Sequence, residues 1–330
     1  MIQSMNLPLT NEYAEPFGGW EGLRAELGAA GLDGVEGIWA GVPVPEEFPA
    51  DLLTGYHLTL VPYWVDFFRE RTEIIKKRFG SEEKIALMYG GTRPEDLIRR
   101  YREDVQRALD LGAGYMVIHV SDVSIEESYT YRWEHSDEEV IDASLDLIRE
   151  ILRGVPESFD FLVENQWWAG FTFTDPKKTD RLLNGIGRER AGIMLDTGHL
   201  MNANPALRSQ ADGAAWVLDC IDAHGQMAEK IRGVHLHQSV SGEYVRAHTG
   251  AVPPDLPETY FEAFEQNYEH ILQIDRHRPW TDPACARILE RVQPAYLTHE
   301  LSARGRAWFD AARVQIENSG IPLCHADRKK

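Results

Sequence analysis

Seven ionisable residues stand in or at the C-terminal end of short apolar runs: His57, His119, Glu164, Asp196, His235, His237 and Glu300. Glu164 closes FDFLVE, Asp196 closes GIMLD and Glu300 closes AYLTHE. A charged group ending an apolar strand must be exposed, paired or bound to a cation. Three carboxylates and several imidazoles converging on one pocket would repel or titrate unless a cation neutralised them. The pattern therefore points to a divalent metal ion. A mixed carboxylate and imidazole shell does not choose sharply among Mn²⁺, Zn²⁺, Mg²⁺ and Fe²⁺.

Neighbouring residues extend this set. His199 follows Asp196 by three residues, a spacing at which both can serve one metal or one substrate. His235 and His237 are two apart and share a strand face, so one could bind metal and the other substrate. His299 faces the opposite way from Glu300 and reads as structural. Arg246 and His248 occupy the loop after the seventh run, and Trp167 and Trp168 follow Glu164 directly. Aromatic residues on such loops, Tyr131 and Trp133 among them, can stack on sugar faces or close over a ligand. His224, His270, His277 and His325 read as surface residues in helices or tails.

The elements that must position these groups alternate regularly. Candidate strands are Ile2–Leu7, Gly34–Trp39, Tyr56–Val61, Tyr115–Val120, Phe159–Glu164, Gly192–Asp196, Gly233–His237 and Tyr296–Glu300. Runs such as YMVIHV and GIMLD are almost wholly apolar, as parallel strands buried on both faces require. Helical segments lie between them. Pro94–Leu111 places Leu97, Tyr101, Val105, Ala108 and Leu109 on one face, with Pro94 at its start and Gly112 after its end. Ser136 and Glu139 form a capping-box pattern before Ile141, Leu145, Ile148 and Leu152, and Ala303–Ser319 supplies a last helix. Eight strands with intervening helices predict an α/β fold, a (β/α)8 TIM barrel, as one domain over residues 1–330. The competing open doubly wound sheet would carry a Gly-rich phosphate loop after its first strand, and none is present. The longest irregular stretches, Ser121–His135 and Val240–Pro257, both follow strands and so fall on the catalytic face of a barrel.

Composition bounds the partners. With 34 Lys and Arg against 53 Asp and Glu, the 330-residue chain has a formal charge of −19. A non-specific grip on nucleic acid or anionic lipid needs a basic footprint, so nucleic acid and membrane partners are disfavoured and a small-molecule substrate is expected. Cys220, Cys285 and Cys324 lack metal-knuckle spacing, which suits a reducing, cytoplasmic setting. The N-terminus does not read as a signal peptide, and no apolar window is long enough to span a membrane.

At LVEN (162–165), MLDTGHLMN (194–202), GVHLHQS (233–239) and THEL (298–301) the chain resembles the xylose isomerase-like superfamily, the sugar isomerase/epimerase and endonuclease IV group. The resemblance implies Glu164, Asp196, His235 and Glu300 as metal ligands, with Glu164 and Glu300 also catalytic. Gln238 stands where the family has an acid, which leaves His237 as an alternative ligand to His235. His199 would contact substrate or a second metal. His57 and His119 would correspond to the extra histidines of endonuclease IV, while its loop Asp and His find only a partial echo in Arg246 to His248. His57, His119, His199, His237, Arg246, His248, Trp167 and Trp168 are the expected substrate contacts. The activity implied first is a metal-dependent isomerase or epimerase acting on a sugar, polyol or keto compound, by proton transfer through a metal-stabilised enediolate. The alternative is an endonuclease IV-like phosphoester hydrolase with two or three metals. A catalytically silent binding barrel is disfavoured because all four ligand types are present. Relatives of this kind are often dimers or tetramers, so a homo-oligomer is a further expectation.

Overall fold

Eight parallel strands close into a barrel in the computed structural model, which describes residues 1–320. They are β1 (Ile2–Pro8), β2 (Gly34–Ile38), β3 (Leu53–His57), β4 (Tyr115–His119), β5 (Asp160–Glu164), β6 (Ala191–Asp196), β7 (Ile231–Leu236) and β8 (Tyr296–His299). Each pairs with its neighbours in chain order, and β8 returns to β1 through Ile2 opposite Tyr296. Helices lie between the strands, so the predicted (β/α)8 barrel is the observed fold.

The amphipathic segments form as their patterns dictate. The helix Pro94–Asp110 buries Leu97, Tyr101, Val105 and Ala108. Asp96 accepts the Arg93 backbone N–H at 3.1 Å at its start. The helix Asp137–Ile151 is capped by Ser136 Oγ, which accepts the Glu139 N–H at 3.1 Å. Inside the barrel, Tyr115, Val117, Leu162 and Met194 pack together with Tyr296 against them. Gly55 on β3 makes room for this layer: a Cβ there would lie 2.1 Å from Tyr115 Cζ.

Three expectations need correction. The third strand runs over Leu53–His57 rather than Tyr56–Val61. Leu58 and Val61 are buried, but as a connection leaving the barrel, and buried apolar residues outside a strand look the same in sequence. His57 consequently ends its strand at the barrel mouth. The last helix begins at Arg306, after Gly305 at a positive φ of 58°. The two long irregular stretches each contain a short helix, Ile125–Thr130 and Gly242–His248.

The connections after β3 and β4 are tied together by buried charge. His135 lies between Asp66 and Asp122, 3.1 Å from each. Asp122 also accepts the backbone N–H groups of Trp64 and Val65. Burial opposes protonation of His135, but the two carboxylates outweigh it and raise its pKa to about 10. Among the described residues no helix is long and apolar enough to cross a membrane.

Candidate metal centre

Strand alternation aims the ionisable residues at one point. Tyr115 and Val117 line the barrel interior, and His119 continues their face of β4; Leu162 and Glu164 do the same on β5, Met194 and Asp196 on β6. Register completes the convergence, with His119 opposite Glu164 and Asp196 opposite His235.

Three groups result, each with one ligand-type atom per residue and all such atoms within 4.8 Å of one another. The first is His57, His119 and Glu164; the second is Glu164, Asp196, His235 and Glu300; the third is His199, His237, Asp275 and His277. Glu164 belongs to two of them. Its Oε2 lies 2.9 Å from His57 Nε2, 3.2 Å from His119 Nε2 and 3.4 Å from His235 Nδ1. Its Oε1 lies 3.0 Å from His199 Nδ1. Asp196 links the second and third groups, since its Oδ2 is 2.9 Å from His237 Nε2. In the third group Asp275 Oδ2 is 3.2 Å from His199 Nε2 and 2.6 Å from His277 Nε2, and the His237 and His277 rings stack at 4.2 Å.

The chemistry of these donors fits divalent cations. Glu164, Asp196, His235 and His237 are fully buried, yet His119 Nδ1, Glu164 Oε1, His235 Nδ1, His237 Nδ1 and Glu300 Oε2 have no hydrogen-bond partner. So many orphaned polar atoms in one place are costly unless something coordinates them. Without a metal, protons supply the counter-charge. Burial disfavours the charged imidazoles, but Glu164 outweighs it at His57 and raises that pKa to about 9. Asp275 and Glu300 do the same at His277, also to about 9. Asp196 and Asp275 hold His199 well above its ordinary value against burial; Glu36, Glu164 and Glu300 do so for His235. His119 is lowered by burial. Glu164, Asp275 and Glu300 are held well below the carboxylate range despite burial, by the imidazoles around them.

Of the residues expected from sequence, Glu164, Asp196, His235, Glu300, His57, His119, His199 and His237 all meet here. His235 and His237 do not compete for one place; they fall in different groups. The Gly198 in LDTGH has a steric reason, since a Cβ there would come within 2.0 Å of His237 Cε1. Trp167 lies against His199 at 5.2 Å and on Trp168 at 4.3 Å. Both tryptophans are buried with Val123, Val245 and Ile274, so they form a packed wall rather than an open stacking platform.

Arg246 and His248 are not brought to the centre. Arg246 donates to the Pro205 carbonyl. His248 stacks on Tyr244 and lines a separate surface cavity of about 570 Å³. Their short helix turns them away from the mouth. His277, expected on the surface, is instead part of the third group, while His224 and His270 are buried in hydrogen bonds elsewhere. Cys324 and His325 lie outside the described residues. Asp275 and Glu36 went unnoticed in the sequence. The usable signal for the first was the Asp275–x–His277 pair, which the helix Tyr260–Ile274 delivers back to the barrel mouth.

Comparison with known proteins places this geometry in context. The structure aligns with endonuclease IV from Thermus thermophilus at a TM-score of 0.51 and 17% identity, over 96% of this chain and 98% of that one. It aligns with D-psicose 3-epimerase from Clostridium cellulolyticum at a TM-score of 0.53 and 9% identity, over 97% and 98% of the two chains. At such identities the likeness is one of fold. No curated protein sequence matches the chain. The family model described as xylose isomerase-like TIM barrel matches residues 75–311, most of the chain, which belongs to that family.

Proposed function

We propose that the protein is a multi-metal hydrolase of phosphate esters of small molecules. The observation that carries this reading is Glu164, whose two oxygens face four imidazoles and serve two adjacent ligand groups. A glutamate acting as a proton carrier in an epimerase needs an oxygen free to approach a substrate carbon. Oε2 of Glu164 is shared by three imidazoles and Oε1 faces His199 Nδ1 at 3.0 Å, so both oxygens point into ligand groups rather than toward a substrate carbon, and a third ligand group stands beside the first two. Divalent ions held there would polarise a phosphoryl oxygen, acidify a water and stabilise both attacking and leaving oxygens of an in-line displacement.

The chain's own residues divide the remaining work. Glu164 and Asp196 would hold neighbouring ions at fixed separation. Glu300, 16% exposed at its side chain and 3.0 Å from His235 Nδ1 through Oε2, would complete the second ligand group on the side of the opening. The Trp167 and Trp168 wall narrows the approach on the His199 side. A charge of −19 opposes a polyanion, because holding a duplex requires neutralising several phosphates.

The test is to load the metal-free protein with Zn²⁺ or Mn²⁺ and assay p-nitrophenyl phosphate, bis(p-nitrophenyl) phosphate and duplex DNA. Release of nitrophenol with intact duplex is expected. Solvent deuterium entering a keto sugar beside its carbonyl, with no ester hydrolysis, would instead support the epimerase reading.

A further inference from the structure

Glu36 lies on β2 and is 2% exposed. Its Oε1 is 2.9 Å and its Oε2 3.2 Å from His235 Nε2. Tyr115 donates its hydroxyl to Oε2 at 2.6 Å and Thr298 donates its own at 3.1 Å. Among the described residues no Lys or Arg pairs with this carboxylate, and His235 is its ion-pair partner. We propose that Glu36 is the positioning residue of the centre, holding His235 as the Nε2–H tautomer so that Nδ1 faces the metal. This rests on reading the three groups as a metal centre.

The argument is one of proton placement. A neutral imidazole carries one N–H, and a carboxylate only accepts. Both ring nitrogens face carboxylates, but the Nδ1 partners Glu300, Glu164 and Asp196 form a ligand group that a cation would occupy, whereas Glu36 faces Nε2 from outside that group. With the cation bound, the one proton therefore sits on Nε2 against Glu36. The lone pair then falls on Nδ1, which has no hydrogen-bond partner and lies 3.0 Å from Glu300 Oε2, 3.4 Å from Glu164 Oε2 and 3.8 Å from Asp196 Oδ2. Those are the other members of the second group. Tyr115 and Thr298 fix the carboxylate in turn, and the missing Cβ of Gly55 lets the Tyr115 ring reach it. A carboxylate on the remote nitrogen of a ligand histidine fixes the ring and raises its basicity, and losing such a partner typically costs about 10–100-fold in metal affinity.

The test is a chelator-competition titration of the full chain with Zn²⁺, for the parent, Glu36→Gln, Glu36→Asp and Tyr115→Phe, beside melting of each metal-free protein. In Glu36→Gln one equivalent should bind about 10–100-fold more weakly, with the others unchanged. Glu36→Asp should recover part of the loss. Tyr115→Phe keeps the carboxylate and removes one donor; it should shift the same equivalent by a smaller factor, and it serves if Glu36→Gln fails to fold. ¹⁵N ring shifts of the Zn²⁺-loaded parent should show His235 protonated at Nε2 and ligated at Nδ1. A role confined to packing would lower metal-free melting and leave the titration unmoved, or leave His235 ligated through Nε2; either overturns the proposal. A parent that binds no Zn²⁺ instead removes the reading beneath it, and that outcome is visible before any variant is made.

Discussion

Glu164 accepts contacts from four imidazoles, and each of them should respond to its loss. Glu164→Gln is expected to weaken metal binding at two groups at once, while His57→Ala or His119→Ala should release one equivalent; metal analysis after dialysis checks both. Activity of Glu164→Gln should fall by more than the roughly 10–100-fold typical of losing an outer partner of a metal ligand, because a direct ligand of two groups is altered. The pH dependence of loading follows from the imidazoles. His57 and His277 have pKa values raised to about 9, so below that pH a metal must displace their protons. Apparent Zn²⁺ affinity should rise from pH 6 to about 9 and level off above it; a chelator competition series reads this, and a flat profile would contradict it. The residues legible in sequence were those that end an apolar run, because the run itself says a charge there needs a partner. Glu36 stands inside a run, and its partners come from β4, β7 and β8, which no local pattern reveals. Asp275 and His277 sit in a connection between Ile274 and Trp280 with arginines on either side of the histidine, a context that reads as solvent-facing.

At the scale of elements, the connections after β3 and β4 depend on the His135 bridge. Its pKa is about 10 when folded against an ordinary value near 6.5, so between those values the folded state binds the extra proton. That stabilisation is complete below about pH 6.5 and is lost as pH rises through 10, with a slope of at most about 1.4 kcal/mol per pH unit. Denaturant unfolding of metal-free parent and His135→Gln at pH 7 and pH 10 should show the difference between them shrinking at the higher pH. A difference that stays constant would remove His135 from this role. Most strands were legible because parallel barrel strands are apolar on both faces. The third slipped because Leu58 and Val61 are buried by the connection that leaves the barrel. The helices Ile125–Thr130 and Gly242–His248 are too short to show a helical period.

At the scale of the molecule, barrel closure brings eight strand ends to one mouth, and the acidic chain there gathers imidazoles against its own carboxylates. The fold is shared by hydrolases and epimerases alike, so fold alone does not select the reaction. On the proposed reading, the number of ions the centre would hold separates the two. The measurement that bears most directly on this is metal content per chain in active, dialysed protein, by elemental analysis beside protein concentration. Three ligand groups predict three equivalents, falling by one in His57→Ala and by one in His277→Ala. One equivalent in fully active parent, unchanged in both variants, would contradict the account.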